Sequence, residues 1–180
     1  MRITKENASA LIIDIQERLV PAMFEKETLI KNCTILIEGL AALNIPMVAT
    51  QQYTKGLGET VEEIKAVIPD FTFIEKRDFS CCDEPAVMEK LELLNAKNII
   101  ICGIEAHVCV LQTAVDLKAA GFNPVVVTDC LSSRVPASIE IAKERFRFEG
   151  IMMTSYESIL FELTCSSAAP EFRTISKLVK

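Results

Sequence analysis

The feature that most constrains this chain is the alternation, from end to end, of short apolar runs with longer segments of helical period. The runs are Ala8 to Ile15, Pro46 to Gln51, Phe71 to Glu75, Asn98 to Gly103, Pro124 to Thr128 and Ile151 to Thr154. Several are nearly continuous Ile, Val and Leu, as strands are when both faces of a parallel sheet are covered. Between them Leu29, Cys33, Leu36, Leu40 and Leu43 recur at helical spacing, as do Val87, Leu91 and Leu94, and then Val135, Ile139, Ala142 and Phe146. The pattern predicts an α/β, Rossmann-like, three-layer fold in which right-handed crossovers place helices on both faces of a parallel sheet. No linker or repeat divides the 180 residues, so one domain over 1–180 is expected.

Composition narrows the function. Half of the residues are hydrophobic and 24% are charged, which fills such a core and excludes a disordered chain. The 25 acidic against 19 basic residues leave a net charge of −6, so no positive field gathers phosphates and no nucleic-acid partner is expected. The longest stretch without a charge, Gly39 to Thr54, is shorter than a bilayer span and holds Pro46; no membrane partner is expected either. Ala8 to Ile13 is too short for a signal-peptide core and is closed by Asp14, which predicts a cytoplasmic protein. The seven Cys are odd in number and include no CxxC pair, so they read as reduced thiols.

In such a sheet the ligand crevice lies at the carboxyl ends of the strands, where strand order reverses. The polar residues just after the runs are therefore the candidates: Asp14-Ile15-Gln16, Glu75-Lys76-Arg77-Asp78, Gly103 to Cys109, and Asp129-Cys130. A helix is predicted from Ala106 to Ala120, with Val108, Leu111, Ala114, Val115 and Ala119 on its apolar face and Cys109, Gln112, Thr113 and Asp116 opposite. Cys109 then lies off the core stripe in the first turn, where the helix dipole lowers a thiol pKa and free NH groups can hold an oxyanion. The alternative is a small packed residue. Cys33 and Cys102 read as core, Cys130 and Cys165 lack context, and Cys81 and Cys82 are weaker nucleophile candidates facing the crevice. Asp14 and Lys76 have the chemistry to serve as base and counter-charge for a thiol, although a loop-ordering Asp and a solvated Lys fit the same residues. His107, the single histidine, excludes a multi-histidine metal cage and reads as a helix-start residue bonded to backbone. Asp129 reads as ordering the Ser132-Ser133 turn.

Taken together, Asp14-Ile15-Gln16, Lys76 with Phe79-Ser80, and Gly103-Ile104-Glu105-Ala106-His107-Val108-Cys109-Val110 followed by Thr113 and Asp116 make the chain resemble the isochorismatase-like cysteine hydrolases, in particular the small isochorismatase domain-containing proteins. The resemblance implies a six-stranded parallel sheet and a catalytic triad at Asp14, Lys76 and Cys109. It also implies a cis peptide at Ile104 to Glu105, with the NH groups of Glu105 and Cys109 as an oxyanion hole. Nicotinamidases of this family carry an Asp-x-His metal motif after strand two, where this chain has Gln51-Gln52-Tyr53. No metal or other cofactor is expected. The resulting expectation is a metal-independent hydrolase of a small carbonyl compound, with a C–N bond cleaved through a Cys109 thioester. A vinyl-ether hydrolase and a non-catalytic binding or assembly protein stay open as alternatives. Gln16, Phe79, Ile104 and Glu105 are the expected pocket residues, and a homo-oligomer is expected from the resemblance and from apolar residues such as Ile159, Leu160 and Phe161.

Overall fold

The computed structural model describes residues 2–180. Six strands form one parallel sheet: β1 (Ala8–Ile13), β2 (Met47–Gln52), β3 (Phe73–Lys76), β4 (Asn98–Ile104), β5 (Asn123–Ser132) and β6 (Met152–Thr154). Their order is β3-β2-β1-β4-β5-β6, so the direction of winding reverses between β1 and β4. Every residue of those two strands is buried, which explains why they read as unbroken apolar runs. The edge strands β3 and β6 are short and more exposed.

Successive residues of a strand face opposite layers, and the core divides accordingly. Ala10, Ile12, Ala49 and Ile100 join one cluster with α1 (Lys26–Ala42), α7 (Tyr156–Thr164) and α8 (Phe172–Leu178). Leu11, Ile13, Val48, Ile99 and Ile101 join a second with α4 (Pro85–Leu93), α5 (Leu111–Ala119) and α6 (Pro136–Phe148). Two single-turn helices, α2 (Thr54–Leu57) and α3 (Glu62–Lys65), fill the connection from β2 to β3. The predicted stripe Leu29, Cys33, Leu36, Leu40 and Leu43 is buried throughout, each Leu contributing roughly 1.5–3 kcal/mol by removal from water. Gly39 on this helix permits a close approach to α7, since a Cβ there would lie 2.5 Å from Leu160 Cδ2.

Several expectations need correction. β1 stops at Ile13, not Ile15, because Asp14 adopts φ 52 and turns the chain out of the sheet. β5 continues past Thr128 to Ser132, so Asp129-Cys130 lies within a strand and not in a rim loop. The carboxylate of Asp129 accepts a hydrogen bond from Tyr156 N at 2.9 Å and so anchors the start of α7, not the Ser132-Ser133 turn. Val135 is 55% exposed and precedes α6, so it does not belong to that helix's buried stripe. Ile159 and Leu160 are fully buried against α1, and Phe161 packs near Phe172; they are internal packing and not a partner surface. Among the described residues no helix is long and apolar enough to cross a membrane.

Candidate active site

Sheet register brings the candidate residues together. Ile13 pairs with Thr50 on one side and Gly103 on the other, and Gln52 pairs with Lys76, so the ends of β1, β2, β3 and β4 share one rim. Asp14 follows Ile13 directly and is fully buried. Its backbone NH donates to Thr50 O at 3.3 Å, and the Thr50 hydroxyl donates to its Oδ1 at 2.8 Å. Lys76 Nζ lies 2.7 Å from Oδ2, with both side chains wholly removed from solvent. Apart from this ionic contact, Oδ2 has no hydrogen-bond partner among the described residues.

A buried ammonium is costly unless its protons are matched. Lys76 donates to Gln52 Oε1 at 2.7 Å and to the carbonyls of Asp78 and Phe79 at 3.2 Å each. Burial works to lower its pKa, but the negative charge of Asp14, with the thiols of Cys81 and Cys109, outweighs it and the net direction is upward. The lysine is therefore held charged, not solvated at the surface.

Cys109 lies on a π-helical turn, Ala106–Val110, that precedes α5. This turn rotates the helix relative to the predicted phase. Cys109 and Thr113 are buried, Val108, Leu111 and Val115 are half-buried, and Ala119 is exposed, so Cys109 is not off the core stripe. At 7% exposure its thiol is pushed up to about 12, first by burial, then by the Asp14 charge, against the opposing pull of Lys76. The expected lowering at a helix start is thus overturned by desolvation. The arrangement is a neutral thiol in the field of a carboxylate that is paired with an ammonium.

Cys81 is fully buried beside this group, 3.9 Å from Thr50 Oγ1, with its NH donating to Thr113 Oγ1 at 2.9 Å. Cys82 is half-buried and turned toward Thr113 O. Gln16 does not line a pocket: it is fully buried, donating to Gln52 O and Gly58 O and accepting from Gln52 N, which clasps the connections after β1 and β2. Ile104 is sealed in the core. Phe79 is 55% exposed at the rim, and Glu105 pairs with Arg134 at 3.1 Å. The Ile104–Glu105 peptide is cis. His107 bonds the Ser133 hydroxyl at 2.9 Å and not backbone. Gln51 donates to Thr60 and accepts from Thr54, and Gln52 accepts from Lys76. Among the described residues no group of three or more His, Cys, Asp or Glu is placed to hold a metal ion. A cavity of about 380 Å³ between α1, β5 and α6 contains none of Asp14, Lys76 and Cys109.

Sequence reasoning missed Thr50 and Gln52. The available signal for Thr50 was a polar side chain directly after Met47-Val48-Ala49, within the predicted run Pro46 to Gln51.

Comparison with known proteins agrees with the fold. Residues 9–158 match the isochorismatase domain, and the chain belongs to the isochorismatase family. It is 36% identical over 184 residues to the secreted isochorismatase effector Isc1 of Phytophthora sojae, covering 99% of this chain and 87% of that protein. It is 32% identical to isochorismatase domain-containing protein 2 of Danio rerio, covering 99% and 89%. Among solved structures, the MAR1 ribonuclease of Caenorhabditis elegans superposes with a TM-score of 0.94 at 34% identity, covering 99% and 92%. The Escherichia coli YcaC product, described as an octameric hydrolase of unknown specificity, shares the fold with a TM-score of 0.89 at 23% identity, covering 98% and 95%.

Proposed function

We infer that this member of the family hydrolyses a small carbonyl compound at a C–N bond, with Cys109 as nucleophile, Asp14 as general base and acid, and Lys76 as the fixed counter-charge. The observation that carries this reading is the solvent-free contact of Lys76 with Asp14 at 2.7 Å, with the Cys109 thiol within the field of the same carboxylate. A thiol raised to about 12 is protonated at rest, so attack must be concerted with proton removal. Asp14 takes the proton from Sγ as sulfur bonds to the carbonyl carbon. The developing oxyanion is held by the NH groups of Glu105 and Cys109. The C–N bond then breaks, Asp14 returns the proton to the leaving amine, and a thioester remains. Asp14 next deprotonates a water molecule that attacks the thioester; the acid departs and Cys109 recovers its proton. Net consumption is one water per amide, and no step uses a metal. Gln51 and Gln52, at the position of the nicotinamidase motif, are engaged with protein partners, which supports this route.

The test is an ammonia-release screen over small amides with Cys109→Ala as control. Turnover that vanishes in the variant is expected, and turnover that survives it rejects the nucleophile. The name of the C. elegans relative makes phosphodiester cleavage a second reading. The net charge of −6 opposes it, and cleavage of labelled RNA that is lost in Cys109→Ala would reverse the preference. A cytoplasmic setting belongs to the main reading on the strength of seven free thiols. A homo-oligomer belongs to it as well, supported by the exposed Ile141 and Phe148, seven positions apart on α6.

A further inference from the structure

The two oxygens of Asp14 have unequal surroundings. Oδ1 accepts the Thr50 hydroxyl at 2.8 Å, and the neighbouring Cys81 sulfur lies 3.9 Å from that hydroxyl on its other side. A hydroxyl has one proton to give, and an ionised carboxylate can only accept, so the Thr50 proton is committed to Oδ1 and Cys81 is the donor toward Thr50. Oδ2 meets the ammonium and otherwise keeps an open lone pair. Thr50 also grips the same residue through its carbonyl, which accepts from Asp14 N at 3.3 Å where the backbone turns at φ 52. Thr50 is 1% exposed, so its hydroxyl is shielded from bulk solvent.

We propose that Thr50 is a positioning residue that locks the Asp14 carboxylate so that Oδ2, and not Oδ1, takes and returns the Cys109 proton. The proposal rests on the reading of Asp14 as base to Cys109. The ionisable groups facing Asp14 are Lys76 from β3, Cys81 from the segment after it and Cys109 from the π-helical turn. Without the hydroxyl, Oδ1 becomes a second acceptor and the ionised carboxylate loses a hydrogen bond that favours it.

Iodoacetamide alkylation of Cys109, mapped by peptide mass and followed against pH, reads this without knowledge of the substrate. In the full chain the acid limb is expected to rise by about one pH unit in Thr50→Val, a tenfold change in proton affinity, and to return to its original position in Thr50→Ser. Thr50→Ala, which removes the hydroxyl without adding a branch, is measured in parallel in case Thr50→Val does not fold. Asp14→Asn removes the limb. If Asp14→Asn removes it while Thr50→Val and Thr50→Ala leave it in place, the positioning role is overturned and the base assignment stands. If Asp14→Asn leaves the limb unchanged, the base assignment fails and the proposal fails with it.

Discussion

At Lys76 a single side chain carries both a structural and a chemical burden. Its charge is the partner of a carboxylate with no exposure, so Lys76→Met leaves the buried Asp14 without its counter-charge. Removing one partner of a buried pair costs about 3–5 kcal/mol. Urea unfolding at pH 7.5 is expected to show that loss, and the double variant Asp14→Asn with Lys76→Met to lose less than the sum of the singles. A Lys76→Met protein within about 1 kcal/mol of the parent would show that the pair is not a coupled unit. The position of Asp14 and Lys76 at the rim was legible in the sequence because polar side chains directly after apolar strands have few other places to go. The state of Cys109 was not. Pattern reasoning sees the helix start and its dipole, whereas the deciding influence is loss of water, contributed by residues far away in sequence.

Helices show the same division between what periodicity reveals and what it hides. The α1 stripe was legible because every one of its apolar residues meets the sheet or a neighbouring helix. The phase of α5 was not, because the π-helical turn Ala106–Val110 inserts an offset that a uniform 100° per residue cannot anticipate. The end of β5 was misplaced for a related reason: Asp129 looks like a turn residue until its carboxylate is seen reaching Tyr156 N. Helix contacts also set a limit on substitution. Gly39→Ala puts a methyl carbon within 2.5 Å and 2.7 Å of the two Leu160 methyls, so α1 and α7 must separate or Leu160 must leave its rotamer. Overpacking of this kind costs about 1–3 kcal/mol. Thermal denaturation is expected to register the loss in Gly39→Ala, and Leu160→Ala added to it should cost less than in the parent, because the deletion makes room for the added methyl. Strict additivity would place the two residues out of contact.

Across the whole molecule the thiols set an upper pH limit. Burial is the leading cause of the rise of Cys81 and Cys130 to about 11 and of Cys109 to about 12, from an ordinary 9.0. Cys102 rises well above that value through its hydrogen bond to Cys33 and its burial; Cys33 also rises, where Cys130 and burial outweigh the lowering bond from Cys102. The folded chain keeps these five protons after the unfolded chain has begun to release them. Their stabilisation is complete below about pH 9 and is lost as pH climbs toward 11 and 12. Lys76, also raised from 10.5, acts with the same sign at the top of that range. Each thiol contributes about 1.4 kcal/mol per pH unit where it is ionised only in the unfolded state. Five together approach about 7 kcal/mol per unit between roughly pH 10 and 11. Urea midpoints measured under reducing conditions should be level from pH 7 to 8.5 and fall steeply beyond 9.5; a level response to pH 10.5 would contradict the burial of these groups. Carboxylate, ammonium and sulfur are delivered by three stretches about thirty to sixty positions apart, joined only where β1, β3 and the turn after β4 reach one rim of the sheet. No excised peptide can inherit the reactive centre, and natural drift in the intervening connections can reshape the entrance while leaving the machinery beneath it untouched.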